Sequence, residues 1–204
     1  MDNRFILLQK SQLIKNNRIL SFNFSDINPN WTLFLDRDGV INVEKDNDYI
    51  KTWNEFEFYN ESIEALPILA NLFNTIVIAT NQKGVGRGIM TESDLNKIHE
   101  NMLRTIETIG GRIDHVFYCT DVENDSINRK PQPGMAKQAK EMFPSIDYTN
   151  AIMVGNRPSD MAFGRNAGLH TVFLATTHPD TPFPDPSIDF RFNNLLEFAN
   201  ALSK

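Results

Sequence analysis

Five short apolar runs, separated by segments of helical periodicity, limit what this chain can fold into. The runs are Thr32–Asp36, Thr75–Thr80, His115–Cys119, Ala151–Gly155 and Thr171–Leu174, each with the length and residue types of a strand. Helical spacing occupies Glu61–Phe73, Glu92–Ile109, Gly134–Phe143 and Pro158–Ala167. A short strand at Asp189–Phe192 and a last helix from Asn194 to Leu202 complete the series. Strands alternating with helices of this length build βαβ units. The chain is therefore predicted to be an α/β protein, a doubly wound, mostly parallel, Rossmann-like sheet with helices on both faces. Thr91 with Asp94 is a weak capping box for the second helix, and Pro158 suits the first turn of the fourth.

The 204 residues suffice for one domain with a sizeable core, assigned to residues 31–204. Residues 1–30 precede the alternation and end in the turn signal Asn28-Pro29-Asn30. They are read as an extension packed on the core, with an edge strand or small hairpin over Arg18–Phe24. Four prolines within residues 177–187 mark an irregular surface loop. The net charge of -6 argues against a nucleic-acid partner. The single cysteine excludes an intramolecular disulfide and fits a reducing compartment. The apolar run near the N-terminus is too short for a signal peptide, and no stretch approaches the ~18 apolar residues of a membrane span. The expectation is a cytoplasmic protein with no membrane partner, its oligomeric state left open.

Chemistry-bearing residues fall at the ends of the predicted strands. The first strand runs into Asp36-Arg37-Asp38-Gly39. Two carboxylates there repel each other unless compensated, most simply by a divalent cation such as Mg²⁺. That pattern suits phosphoryl transfer, one acid serving as nucleophile and the other as general acid/base; a strand followed by an ordinary Asp-Gly turn fits the pair equally well. The second strand ends in Thr80-Asn81-Gln82-Lys83-Gly84-Val85-Gly86-Arg87-Gly88. Here a hydroxyl, an amide, backbone N–H groups and two cations suit phosphate, against the alternative of a flexible loop with solvated charges. After the third strand, Arg129-Lys130-Pro131-Gln132-Pro133 holds two cations on a stiff backbone, where a lysine could neutralise a phosphoryl oxygen, although a solvated basic pair before a helix is the better reading of this segment in isolation. The fourth strand runs into Gly155-Asn156-Arg157-Pro158-Ser159-Asp160, two oxygen side chains one helical turn apart. They suit a partly hydrated Mg²⁺ site, or else cap the following helix.

The ordered set D-x-D-G-V, T-N-Q, R-K-P and G-N-x-x-x-D, one at each strand end, resembles the haloacid dehalogenase superfamily of aspartate-dependent phosphohydrolases. Within it, Asp36 to Asn42, Thr80 to Gly88 and Arg129 to Met135 are similar to the group of histidinol phosphatase and D-glycero-D-manno-heptose 1,7-bisphosphate phosphatase. The gaps between motifs cannot hold a large cap, which implies an open site. The resemblance implies that Asp36 is the nucleophile, forms an aspartyl-phosphate and binds Mg²⁺. It makes Asp38 the proton donor to the leaving alcohol and then the activator of water, its backbone carbonyl reaching the metal. Thr80 and Asn81 would hold the phosphoryl group, Lys130 would balance charge, and Asn156, supported by Asp160, would complete the metal shell.

Two departures from the family pattern carry expectations. Members usually have Asp where this chain has Asn156, so the metal is expected to bind more weakly and Asn156→Asp to tighten it. Close relatives often carry C-x-H and C-x-C pairs before R-K-P; here only Cys119 matches, with Asp121, Ser126 and Asn128 at the other positions, so no zinc is expected. The resemblance implies a small phosphorylated metabolite as substrate, best a sugar bisphosphate of the heptose type, to which the Asn81-Gln82 and Gly-rich segments look closer, with Gln82 among the phosphate- or substrate-binding residues and Lys83, Arg87 and Arg129 available to a second phosphate. Histidinol phosphate is the alternative within the same chemistry; a non-catalytic phosphate-binding relative, with Asn156 marking a decayed metal site, is the alternative from another class. His99, His115, His170 and His178 are read as structural or solvated, Trp31 and Trp53 as packing, and Asp46 and Asp48 as a solvated turn near the site.

Overall fold

The computed structural model describes residues 23–203 and, before them, the backbone of a two-residue antiparallel ladder, Ile14–Lys15 (β1) against Arg18–Ile19 (β2). Most of the extension expected over residues 1–30, and residues 20–22 of the edge strand or small hairpin expected over Arg18–Phe24, lie outside the described residues. Within the described part, Phe24 packs on the domain, its ring 4.4 Å from that of Phe190.

One sheet organises the rest. Its strands are Thr32–Leu35 (β3), Thr75–Asn81 (β4), His115–Cys119 (β5), Ala151–Gly155 (β6), His170–Leu174 (β7) and Phe190–Phe192 (β8). All neighbours pair in parallel, in the order β5-β4-β3-β6-β7-β8. The chain lays down β3, β4 and β5 outward in one direction, then crosses to β6 and winds outward in the other. Successive connections therefore part between β3 and β6, which leaves a crevice at the carboxyl ends of those two strands. Leu35 of β3 stands opposite Val154 of β6, so Asp36 and Asn156 emerge side by side at its floor.

A parallel sheet covered on both faces needs strands that are apolar throughout, and β3, β6 and β7 are buried at every position. Alternation along the strands divides the core. Leu33, Leu35, Ile76, Ile78, Ile152 and Val154 face helices Asn60–Leu72 (α1), Glu92–Thr108 (α3) and Leu195–Leu202 (α6). Phe34, Val77, Ala79 and Met153 face the other side, against Gly134–Met142 (α4) and Phe163 of Pro158–Ala167 (α5).

Element ends agree with the sequence expectation to within a residue. Thr91 and Asp94 do form a capping box on α3, each bond 3.1 Å, and Pro158 begins α5, which Gly168 ends at φ +85°. The segment expected as a glycine loop differs: Lys83–Gly86 is a helical turn (α2). Its glycines allow close packing. A Cβ on Gly86 would lie 2.1 Å from the Thr120 carbonyl oxygen, and one on Gly84 would press on the Tyr49 ring at 3.0 Å.

Candidate active site

A cleft of about 810 Å³ opens at the carboxyl ends of the central strands, with Asp36, Asp38, Thr80 and Lys130 in its lining. Asp36 stays tied to the sheet through its backbone N–H, which donates to the Val154 carbonyl at 2.9 Å. Its Oδ1 accepts from the Arg37 backbone N–H at 2.7 Å and lies 2.9 Å from Lys130 Nζ. Lys130 Nζ is also 2.7 Å from Asp160 Oδ1, so a buried ammonium joins two buried carboxylates. Burial and then the Asp160 charge push the Asp36 carboxyl up to about 7, with Lys130 acting against them. Burial alone would depress the Lys130 pKa, but the charges of Asp160 and Asp36 outweigh it and raise it above the usual lysine value.

Asp38 is gripped from three sides. Arg37, 1% exposed, turns back along its own turn and donates from Nη2 to both carboxylate oxygens at 2.8 and 2.9 Å. Asn42 Nδ2 donates to Oδ1 at 3.0 Å, and Gln82 Nε2 to Oδ2 at 2.9 Å. Burial raises the Asp38 pKa, but the Arg37 charge and these hydrogen bonds outweigh it and hold the carboxyl below its ordinary range. Gln82 Nε2 also donates to Thr80 Oγ1 at 2.9 Å, linking the ends of β3 and β4. Behind Arg37, His99 Nε2 sits 3.1 Å from Nη1. A guanidinium only donates, so His99 accepts and its proton is on Nδ1. Burial and then the Arg37 charge push the His99 pKa down to about 3.

Asn81 and Asp160 are engaged in ways the motif reading did not describe. The Asn81 side chain bonds the Lys130 backbone at both ends, Nδ2 to the carbonyl at 3.1 Å and Oδ1 from the N–H at 3.0 Å. It clamps the lysine loop to β4. Asp160 directs Oδ1 to Lys130, while Oδ2 accepts the Arg157 backbone N–H at 2.9 Å and caps α5. Room for that carboxylate comes from Gly155, where a Cβ would lie 2.3 Å from Asp160 Cβ.

Asn156 is fully buried beside Gly39, a residue at φ +81°. Its Nδ2 donates to Glu44 Oε2 at 3.1 Å and to Thr177 Oγ1 at 2.6 Å. Its Oδ1 is buried with no hydrogen-bond partner. A buried, orphaned amide oxygen is the donor type a hard cation takes.

The cleft wall is cationic. Lys83, Arg87 and Arg129 line it together with Tyr49, whose hydroxyl accepts from Arg87 Nη1 at 2.8 Å. Burial, then repulsion from Arg129 and Arg87, lowers the Lys83 pKa. Arg129 Nη1 is buried without a partner. Asp46 and Asp48 line the rim, Asp48 paired to Lys51 at 3.0 Å. In the segment between Cys119 and Arg129, Ser126 donates to Asp121 and Lys83 Nζ donates to Asn124 at 3.0 Å. Among the described residues, no group of three His, Cys, Asp or Glu is placed to hold a metal ion by itself.

Arg37, Asn42, Glu44, Tyr49 and Thr177 escaped the sequence reading. Arg37 and Asn42 carried a signal, since they flank Asp38 in the first motif. Glu44 and Thr177 meet Asn156 only through the fold and carried none.

Residues 32–199 match the family described as polynucleotide kinase 3 phosphatase. A D-glycero-alpha-D-manno-heptose-1,7-bisphosphate 7-phosphatase of Campylobacter jejuni is 36% identical over 170 residues, 82% of this chain and 93% of the relative. A D-glycero-beta-D-manno-heptose-1,7-bisphosphate 7-phosphatase of Escherichia coli is 32% identical over 181 residues, 84% of this chain and 93% of the relative. Among solved structures, the D,D-heptose 1,7-bisphosphate phosphatase of B. bronchiseptica complexed with magnesium and phosphate has a TM-score of 0.76 at 29% identity, covering 85% of this chain and 98% of that one.

Proposed function

The chain belongs to the polynucleotide kinase 3 phosphatase family of the haloacid dehalogenase superfamily, and on that premise we propose that it hydrolyses a sugar bisphosphate of the heptose 1,7-bisphosphate type. It is a phosphoric monoester hydrolase. The observation that carries the reading is the buried Asp36–Lys130–Asp160 cluster beside an Asp38 held by Arg37 and Gln82, at the crevice between β3 and β6. Phosphoryl transfer rests mostly on positioning and electrostatic stabilisation, which such a cluster supplies.

In the first step an Asp36 oxygen attacks phosphorus, the bond from phosphorus to the sugar oxygen breaks, and Asp38 gives that oxygen its proton. Arg37 favours the ionised form of Asp38, and a dianionic phosphoryl group beside it favours the protonated form. In the second step Asp38 takes a proton from water as the water oxygen attacks the aspartyl-phosphate, releasing phosphate and restoring Asp36. Lys130 balances charge on Asp36, Thr80 faces the phosphoryl group, and Asn81 keeps Lys130 in place.

Asp36, the Asp38 backbone carbonyl and Asn156 Oδ1 would hold Mg²⁺, with Asp160 acting through Lys130 rather than as a direct ligand. When bound, the ion neutralises charge on the nucleophile and the phosphoryl oxygens. The magnesium in the B. bronchiseptica structure supports Mg²⁺ as the ion. No zinc is proposed, because Cys119 stands alone and Asp121 is engaged with Ser126. Lys83, Arg87 and Arg129, three cations on one wall, suit the phosphate that is not cleaved.

The test is phosphate release with Mg²⁺ from heptose 1,7-bisphosphate, histidinol phosphate and a 3′-phosphorylated oligonucleotide, the cleaved position read by phosphorus NMR. Preference for the bisphosphate with loss at position 7 is expected. Equal or better turnover of either monoester would overturn the substrate assignment.

A further inference from the structure

Glu44 lies on the strand-to-helix connection after β3, far in sequence from Asn156, yet its carboxylate ends at that amide. A carboxylate paired with a guanidinium can only accept, and Arg157 Nε donates to Glu44 Oε1 at 3.1 Å. The amide of Asn156 therefore has to present nitrogen to Glu44 Oε2. Thr177 Oγ1 takes the second proton of that nitrogen at 2.6 Å. With both protons used, the side chain has one orientation, and Oδ1 is left buried and unpartnered. Gly39 closes the remaining side, since a Cβ there would lie 2.0 Å from Asn156 Nδ2.

We propose that Glu44 is a positioning residue for the divalent cation: it fixes the Asn156 amide with its oxygen toward the metal and carries the negative charge that Asn156 lacks. The inference rests on the metal-dependent reading above. It reverses the expectation for Asn156→Asp, because a carboxylate at 156 would set an oxygen against Glu44 Oε2 at the place of the present 3.1 Å hydrogen bond. Two like charges at that separation repel. The amide and the acid work as a pair, one charge shared between two positions, and the same total is reached with Asp at 156 and Gln at 44.

Mg²⁺ binding to the substrate-free protein, measured by calorimetry on four proteins, tests this: the wild type, Glu44→Gln, Asn156→Asp and the double variant. Loss of a group that orients a metal ligand weakens affinity by about tenfold or more, and that is expected for Glu44→Gln. Asn156→Asp alone is expected to bind no tighter than the wild type, and the double variant to recover wild-type affinity or exceed it. Thr177→Val is expected to weaken binding in the same direction as Glu44→Gln, which keeps the test open should one variant fold poorly; thermal melts without metal identify such a variant. Wild-type affinity in Glu44→Gln, or tighter binding in Asn156→Asp with no dependence on residue 44, would overturn the proposal while leaving the phosphatase reading intact. Absence of Mg²⁺ binding in the wild type would overturn both.

Discussion

Arg129 shows how a single side chain can be costly to bury and still belong in a site. Its Nη1 is buried with no partner, and Arg87 and Lys83 stand on the same wall of the cleft. An anion between them relieves the desolvation and the mutual repulsion together. If Arg129 holds the uncleaved phosphate as proposed, replacing it by Ala removes a charged hydrogen bond worth about 1.5–3 kcal/mol. KM for the bisphosphate should rise by roughly tenfold or more with kcat little changed, whereas a monophosphate ester should respond far less. Steady-state kinetics on both substrates check this, and equal effects on the two would remove Arg129 from the second phosphate. That the acids, Thr80 and Lys130 would meet in one cleft was legible because each ends a strand or follows one closely. The bonds of Asn81 to the Lys130 backbone were not, because an amide bonding a distant backbone leaves no periodic trace. The contact of Asp160 with Lys130 was not legible for a related reason: spacing brings Asp160 to the strand end but does not say which cation it meets there.

At the scale of elements, the junction of β6 and α5 depends on Gly155. A methyl group there would lie 2.5 Å from Asp160 Oδ2, the atom that accepts the Arg157 N–H at the start of α5. Gly155→Ala should therefore displace Asp160, uncap the helix and loosen Lys130. A loss of about 1–3 kcal/mol, the usual cost of overpacking, is expected together with a marked fall in kcat. Thermal melts and kinetics test it, and a variant with wild-type values in both would show that α5 can shift without cost. Strands and long helices were legible to within a residue because continuous apolar runs, helical spacing and caps mark them. The helical turn over Lys83–Gly86 was not, since its glycines answer to Tyr49 and Thr120 across the fold rather than to local propensity.

For the molecule as a whole, buried titratable groups tie stability to pH. His99, whose pKa is pushed down to about 3, stays neutral in the fold while the unfolded chain takes up a proton below about 6.5. Its contribution is complete above 6.5 and is lost as pH falls toward 3. Between pH 6.5 and 5 the loss is about 2 kcal/mol. Asp36, raised to about 7, acts oppositely, favouring the fold below its unfolded value and withdrawing that support as pH rises toward 7. A comparison of wild type with His99→Gln cancels the Asp36 part, since both proteins carry it. The wild type should lose stability relative to the variant between pH 6.5 and 5 in urea titrations, and parallel pH profiles would show that His99 is not held neutral. The sheet that buries these groups was predictable from the alternation of strands and helices, whereas the charge balance at its centre needed the fold to bring Asp36, Lys130 and Asp160 together.

The claim on which the rest depends is that Asp36 becomes phosphorylated during turnover. Wild-type protein mixed with heptose 1,7-bisphosphate and Mg²⁺, quenched in acid within a turnover and digested, should yield the Asp36 peptide carrying one phosphoryl group by mass spectrometry. The Asp36→Ala protein, folded by circular dichroism, should carry no such group and release no phosphate. Phosphate release by Asp36→Ala at a rate comparable to the wild type would contradict the account.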